Sequence, residues 1–169
     1  MTATSSARTA QAIRDAQRKF PQLCAHGVFG FRIVGHAARL AMAKHFAPTI
    51  SAPIAMAEVE TAIEFLAMLD PTKTGRVDSY KVKHVAEDWG RCHDLSGYVS
   101  NGAVIAAALA LGLAVEPCGP PWAGSPNVMI GVSEKSLRRK MIGNDFMRRE
   151  RRGRSITVDD LKNGFQCGG

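Results

Sequence analysis

The chain has 169 residues, of which 46% are hydrophobic and 22% charged, which excludes an intrinsically disordered chain and leaves enough apolar surface for one buried core. Its 22 Lys/Arg exceed its 15 Asp/Glu, giving a formal charge of +7 and favouring anionic partners over acidic-surface chemistry. No apolar run reaches the roughly 18 residues of a membrane-spanning helix, so no membrane partner is expected.

The positive charge is concentrated. Between Ser133 and Arg154, nine Lys/Arg stand against Glu134, Asp145 and Glu150, a net of +6 that is nearly the whole-chain excess. The four cysteines, Cys24, Cys92, Cys118 and Cys167, form no C-x-x-C pair, and no secretory signal accompanies them. This pattern predicts reduced thiols in a cytoplasmic protein. The Ser/Thr/Ala/Arg-rich start is also compatible with a targeting peptide.

In chain order, Ser5 or Ser6 caps a first helix that runs to Phe20, with Ala10, Ile13, Ala16 and Phe20 on one face and Pro21 as its stop. Gly27 and Gly30 predict a turn over Leu23 to Gly30. A second helix is expected over Phe31 to Phe46, presenting Ile33, Ala37, Leu40 and Ala41, with Gly35 within it. Pro48 and Pro53 bracket a connector. A third helix, Ala57 to Leu69, buries Val59, Ala62, Ile63, Leu66 and Leu69, and Asp70-Pro71 ends it. Thr72 to Val77 reads as a polar link.

The central stretch begins at Asp78 or Ser79, either of which caps a helix carrying Val82, Val85, Ala86 and Trp89 at i, i+3, i+4, i+7. Gly90 is the expected stop. After a loop, Ser100 or Asn101 caps a second helix, Ala103 to Leu111, closed by Gly112. Strands Leu113 to Glu116 and Asn127 to Val132 then flank a Pro/Gly-rich tip holding Trp122. Beyond them, Ser133 caps a helix to Ile142, Gly143 breaks it, and Asn144 or Asp145 restarts one to Arg152. Thr157 and Asp160 resemble a capping box opening a last helix to Asn163.

The expected fold is mainly α: a compact helical domain with a winged helix-like unit of two helices plus a two-stranded hairpin. Residues 1–70 form an N-terminal helical part, 78–132 the winged helix-like unit, and 133–169 a basic helical segment, all within one compact domain. The core should contain Ile33, Leu40, Ile63, Leu66, Val82, Val85, Trp89, Ile105, Leu109 and Leu111.

Function is read by elimination. No Walker loop or dinucleotide fingerprint is present, and Cys92-His93-Asp94 are neighbours in sequence rather than a spatially convergent triad. No cofactor or catalytic residue is assigned, and the chain is taken as non-enzymatic. The close pairs Cys24/His26 and Cys92/His93 fall short of a four-ligand metal site unless a tertiary contact joins them. Against DNA reading, the helix Asn101 to Leu111 is almost wholly apolar, and a recognition helix needs side chains that reach bases. The basic segment offers sequence-independent phosphate contacts instead, and arginine suits them because its planar fork binds two oxygens at once. The expectation is a nucleic-acid-associated protein, such as a small regulator or accessory factor. It would bind through Arg138, Arg139, Lys140, Arg148, Arg149, Arg151 and Arg152, with Ser100, Asn101 and Lys81 as lesser contacts. The competing expectation is a protein-interaction module, an effector or inhibitor docking through Trp122 and the basic patch.

Overall fold

The computed structural model describes residues 3–28, 52–118 and 125–151; over 3–5, 146 and 148–151 it describes the backbone alone. The expected helices Phe31 to Phe46 and Thr157 to Asn163, the core positions Ile33 and Leu40, and the candidate contacts Trp122 and Arg152 lie outside these residues. Among the described residues the chain is mainly helical, with five helices and two small antiparallel sheets.

Helix α1, Ala3–Lys19, buries Ala16 and turns Ile13 and Phe20 onto the core. A short hairpin follows, β1 (Leu23–Cys24) paired with β2 (Gly27–Val28). Gly27 turns it with φ of 119°, and a Cβ there would fall 2.2 Å from the carbonyl oxygen of Pro126. The site therefore needs glycine twice over, for its left-handed backbone and for the close approach. Helix α2, Met56–Leu66, buries Val59, Thr61, Ala62, Phe65 and Leu66. Its expected end at Leu69 is reached by a tightened turn: Met68 N–H donates to Phe65 O at 3.2 Å and Leu69 N–H to Leu66 O at 3.0 Å.

The link after α2 is more ordered than its polar composition predicts. Thr72 N–H donates to Gly131 O and Arg76 N–H to Ile130 O, both at 2.9 Å, and Val77–Asp78 forms a strand, β3. Helix α3, Ser79–Cys92, starts where expected, with Asp78 Oδ1 accepting from Tyr80 N–H at 2.8 Å. It does not stop at Gly90. That position lies inside the helix and needs glycine because a Cβ would meet Ser96 O at 2.4 Å, and the reversal comes at Asp94, whose φ is 56°. Helix α4, Asn101–Ala110, is capped by Ser100, whose Oγ accepts from Ala103 N–H at 3.3 Å. Its end is a Schellman turn: Leu113 N–H donates to Ala108 O and Gly112 N–H to Leu109 O, both at 3.0 Å, with Gly112 at φ 68°.

Strands β4 (Val115–Pro117) and β5 (Val128–Ile130) pair as expected, and β3 adds to the far side of β5, giving the order β3-β5-β4. Val77 and Val115 both face Ile130 across the sheet. Helix α5 is Glu134–Arg151, one continuous helix where a break at Gly143 was expected. Its inner face explains the continuity. Leu137 and Asn144 are buried on either side of Gly143, and Asn144 Nδ2 donates to Val85 O of α3 at 3.1 Å. Tertiary anchoring of this kind outweighs the roughly 1 kcal/mol helix penalty of an exposed glycine.

The core lies where α1, α2, α3 and α4 meet above the three-stranded sheet. Leu66, Val82, Val85, Trp89 and Ile105 are buried there as expected, and Ile63 and Leu109 pack against it half-buried. Leu111 is corrected: it follows the last turn of α4 and is 37% exposed.

Candidate functional site

Two features stand out, a cleft beside the N-terminus of α4 and the basic length of α5. The cleft, about 470 Å³, is bounded by Ala25 and His26 of the first hairpin, Tyr80 and Lys83 of α3, Tyr98 and Asn101, and Pro126 and Asn127. At its wall is an ion pair that sequence reading missed. Lys83 and Glu87 stand at i, i+4 on the inner face of α3, with Nζ 2.5 Å from Oε1 and side chains 10% and 7% exposed. Glu87 is further satisfied by the backbone N–H of Val99 at 3.4 Å and by His84 Nδ1, which lies 3.0 Å from its Oε2. Three partners satisfy the oxygens of a carboxylate in so dry a place.

Lys83 has three donors, and Glu87 accepts from one. The ammonium also faces two aromatic rings, at 4.9 Å from the Tyr98 centroid and 5.7 Å from that of Tyr80. These are the only tyrosines of the chain, and both are half exposed at the cleft (Tyr80 52%, Tyr98 53%). Their presence on either side of a lysine was legible in the sequence only as composition, because Tyr98 arrives from the loop after α3.

Asn101 closes the cleft from below. Its Nδ2 faces three acceptors, His26 O at 3.3 Å, Pro126 O at 3.2 Å and Asn127 Oδ1 at 3.0 Å, which fixes the amide orientation. Its Oδ1 is buried with no hydrogen-bond partner. Asn127 in turn donates to Asp78 Oδ2 at 3.3 Å, and the Cys118 thiol donates to the same oxygen at 3.4 Å. Burial, followed by the neighbouring Asp78 carboxylate, pushes the Cys118 thiol above its usual range.

The described basic side chains of α5 occupy its outer side. Lys135, Arg138 and Arg139 are exposed and Lys140 half-buried, while Ser136, Leu137 and Asn144 face inward. Arg139 Nη2 reaches Asp70 Oδ2 at 2.8 Å, and Lys140 Nζ lies 3.6 Å from Met68 Sδ. Arg148, Arg149 and Arg151 follow on the same helix, about 15 Å farther along its axis at 1.5 Å per residue. Lys81, exposed, meets Glu134 at 3.5 Å. Ser100 and Asn101 are placed differently from what surface contacts would need: both are buried, Ser100 as the cap of α4 and Asn101 as the floor of the cleft.

The other sequence candidates stay apart. His84 Nδ1 lies 3.0 Å from Glu87 Oε2, and Arg91 engages Asp88 at 3.1 Å. His93 stacks on Trp89 with centroids 4.4 Å apart, and the Cys92 thiol points at Asn144 O, 3.9 Å away. Among the described residues no group of three or more His, Cys, Asp or Glu is placed to hold a metal ion, and no helix is long and apolar enough to cross a membrane. A larger open groove, about 1150 Å³, runs between α1, α2 and the end of α4. Charges of both signs line it, and Thr9 Oγ1 donating to Glu60 Oε1 at 3.2 Å fastens its two sides together.

No protein-family model, no curated protein and no solved structure matches this chain.

Proposed function

We propose that the chain is a non-enzymatic, cytoplasmic nucleic-acid-associated protein, a small regulator or accessory factor, whose basic C-terminal helix holds phosphates. The observation that carries this reading is the continuity of α5. Seven Lys/Arg against three Asp/Glu lie on one 18-residue helix anchored to α3, so both arginine clusters belong to a single rod about 27 Å long. A rod of that length can follow a phosphate backbone and release several counterions on binding. The scaffold under it is read as a winged helix-like unit. In support, β3 precedes the helix pair α3–α4 and pairs with β5, the second strand of the hairpin. Its second helix serves as core, because Asn101 to Ala108 are all buried.

The test is binding of the full chain to random-sequence duplex DNA and to RNA across a salt series. The expected result is a steep salt slope that collapses when Arg148, Arg149, Arg151 and Arg152 are together changed to Glu. Absence of binding at low salt overturns the proposal. It would turn attention to a protein partner, probed by pull-down with and without Trp122→Ala.

A further inference from the structure

The cleft at Tyr80, Lys83, Tyr98 and Asn101 is not used by phosphate contacts along α5, and its chemistry argues against a phosphate. The first-turn amides of α4 are already spent: Gly102 N–H donates to Ala25 O at 2.9 Å, and Ala103 and Val104 N–H donate to Ser100 Oγ and Ser100 O. Lys83 is neutralised at 2.5 Å by Glu87. An anion would therefore find neither free amides nor uncompensated charge.

What the cleft does offer is two half-exposed aromatic rings and ammonium donors beyond the one the ion pair uses. A neutral, planar, aromatic group with a carbonyl acceptor complements both. We propose that this cleft takes one unpaired base of a single-stranded nucleic acid. The base stacks on a tyrosine, and its carbonyl accepts from Lys83 Nζ. This deepens the reading above and rests on it: α5 tracks the backbone and the cleft seats a base.

The two features adjoin. Glu134, the first residue of α5, meets Lys81 at 3.5 Å, one residue from Tyr80. The complementarity also discriminates between bases. Thymine, uracil and guanine carry a carbonyl next to an imino N–H, whereas adenine has no carbonyl. A duplex keeps its bases stacked and that edge paired, so it cannot fill the cleft.

The experiment compares binding of the full chain to oligo(dT), oligo(dA) and an abasic oligonucleotide of the same length at one moderate salt concentration. Parent, Tyr80→Ala, Tyr98→Ala and Tyr98→Phe proteins are each checked for folding by circular dichroism. Both rings are half exposed; Tyr98 also covers the Lys83–Glu87 pair, so Tyr80→Ala is the deciding variant, while Tyr98→Phe keeps that cover. Stacking on an aromatic platform predicts oligo(dT) binding weakened on the order of 10-fold by Tyr80→Ala or Tyr98→Ala, with Tyr98→Phe retaining it. Oligo(dT) should bind more tightly than oligo(dA), and the abasic strand weakest. Equal binding of abasic strand and oligo(dT), or alanine variants as tight as the parent, overturns the base pocket. If that binding is still abolished by reversing the α5 arginines, the backbone reading stands without the pocket. Loss of all nucleic-acid binding in the parent overturns both.

Discussion

The floor of the cleft depends on how closely α4 is pressed onto the first hairpin, and one substitution measures this. Gly102 lies in the first turn of α4 with ordinary helical backbone, so alanine there should gain about 1 kcal/mol of helix propensity. A Cβ at this position would, however, fall 1.9 Å from Cys24 O and 2.8 Å from Cys24 C, both backbone atoms that cannot rotate away. Helix and hairpin must separate by about 1 Å, an overpacking cost of about 1–3 kcal/mol. The Gly102 N–H to Ala25 O bond, now 2.9 Å, lengthens or breaks, at about 0.5–1.5 kcal/mol. The net expectation for Gly102→Ala is a loss of about 1–3 kcal/mol, or a melting temperature lower by about 2–12 °C for a chain of this size. Gly143→Ala is the matched control. It too is a helical glycine, but nothing lies within 4 Å of its added carbon, so the same change should raise the melting temperature by about 2–4 °C. Thermal unfolding followed by circular dichroism, with urea titration as a second measure, reads both. If Gly102→Ala stabilises the protein as Gly143→Ala does, the close packing of α4 on the hairpin is refuted, and with it the geometry of the cleft.

Other outcomes follow from the buried groups. Lys83→Met leaves the Glu87 carboxylate buried without its cation and should cost about 3–5 kcal/mol in urea unfolding, whereas Lys83→Met with Glu87→Leu should recover most of that loss; a double variant no more stable than the single one would refute the pairing. Cys118 holds its proton to higher pH in the folded state than in the unfolded one, so any stability from it is present below the unfolded thiol value and lost as pH rises through the folded one. Peptide-resolved alkylation from about pH 7 to about pH 10 should show Cys118 reacting with a midpoint above that of the urea-unfolded chain, and an equal or lower midpoint would count against burial beside Asp78.

The parts of the fold that were legible in sequence are those held by local periodicity. The stripe Val82, Val85, Ala86, Trp89 marked α3 because a helix needing one buried face must repeat its apolar residues at that spacing. Ser100 and Gly112 bounded α4 because caps act within a few residues of themselves. Illegible were the features decided by distant partners. Gly90 and Gly143 read as stops, yet Gly90 is required inside α3 because Ser96 O leaves no room for a Cβ, and the anchors Leu137 and Asn144 keep α5 running. Strand β3 is two residues long, too short for alternation to register, and exists because β5 offers a free edge.

The site shows the same division more sharply. Arginine density along 138–151 was visible as composition, and the helix adds only that the clusters share one axis. The Lys83–Glu87 pair was hidden because charges at i, i+4 on a helix ordinarily face water. Here they stand on the buried side, which is tolerable only because Tyr98 and the Val99 amide come round from the next loop to cover and satisfy them.

That inversion bears on how the chain would meet nucleic acid. In a winged helix arrangement the second helix of the pair is the one offered to the groove, yet here eight consecutive residues of α4, Asn101 to Ala108, are buried. Exposing that face to DNA would mean dismantling the core that α1 and α2 form with it. The polar chemistry that a recognition helix would carry stands instead on α3 and the loop before α4, where Tyr80, Lys83 and Tyr98 surround a concave cleft rather than a convex ridge. A convex helix enters a duplex groove, whereas a concave seat lined by aromatic rings receives a base that has already left its stack. On that ground the function proposed above favours single strands over duplex grooves, with α5 proposed to supply the backbone contacts beside the cleft.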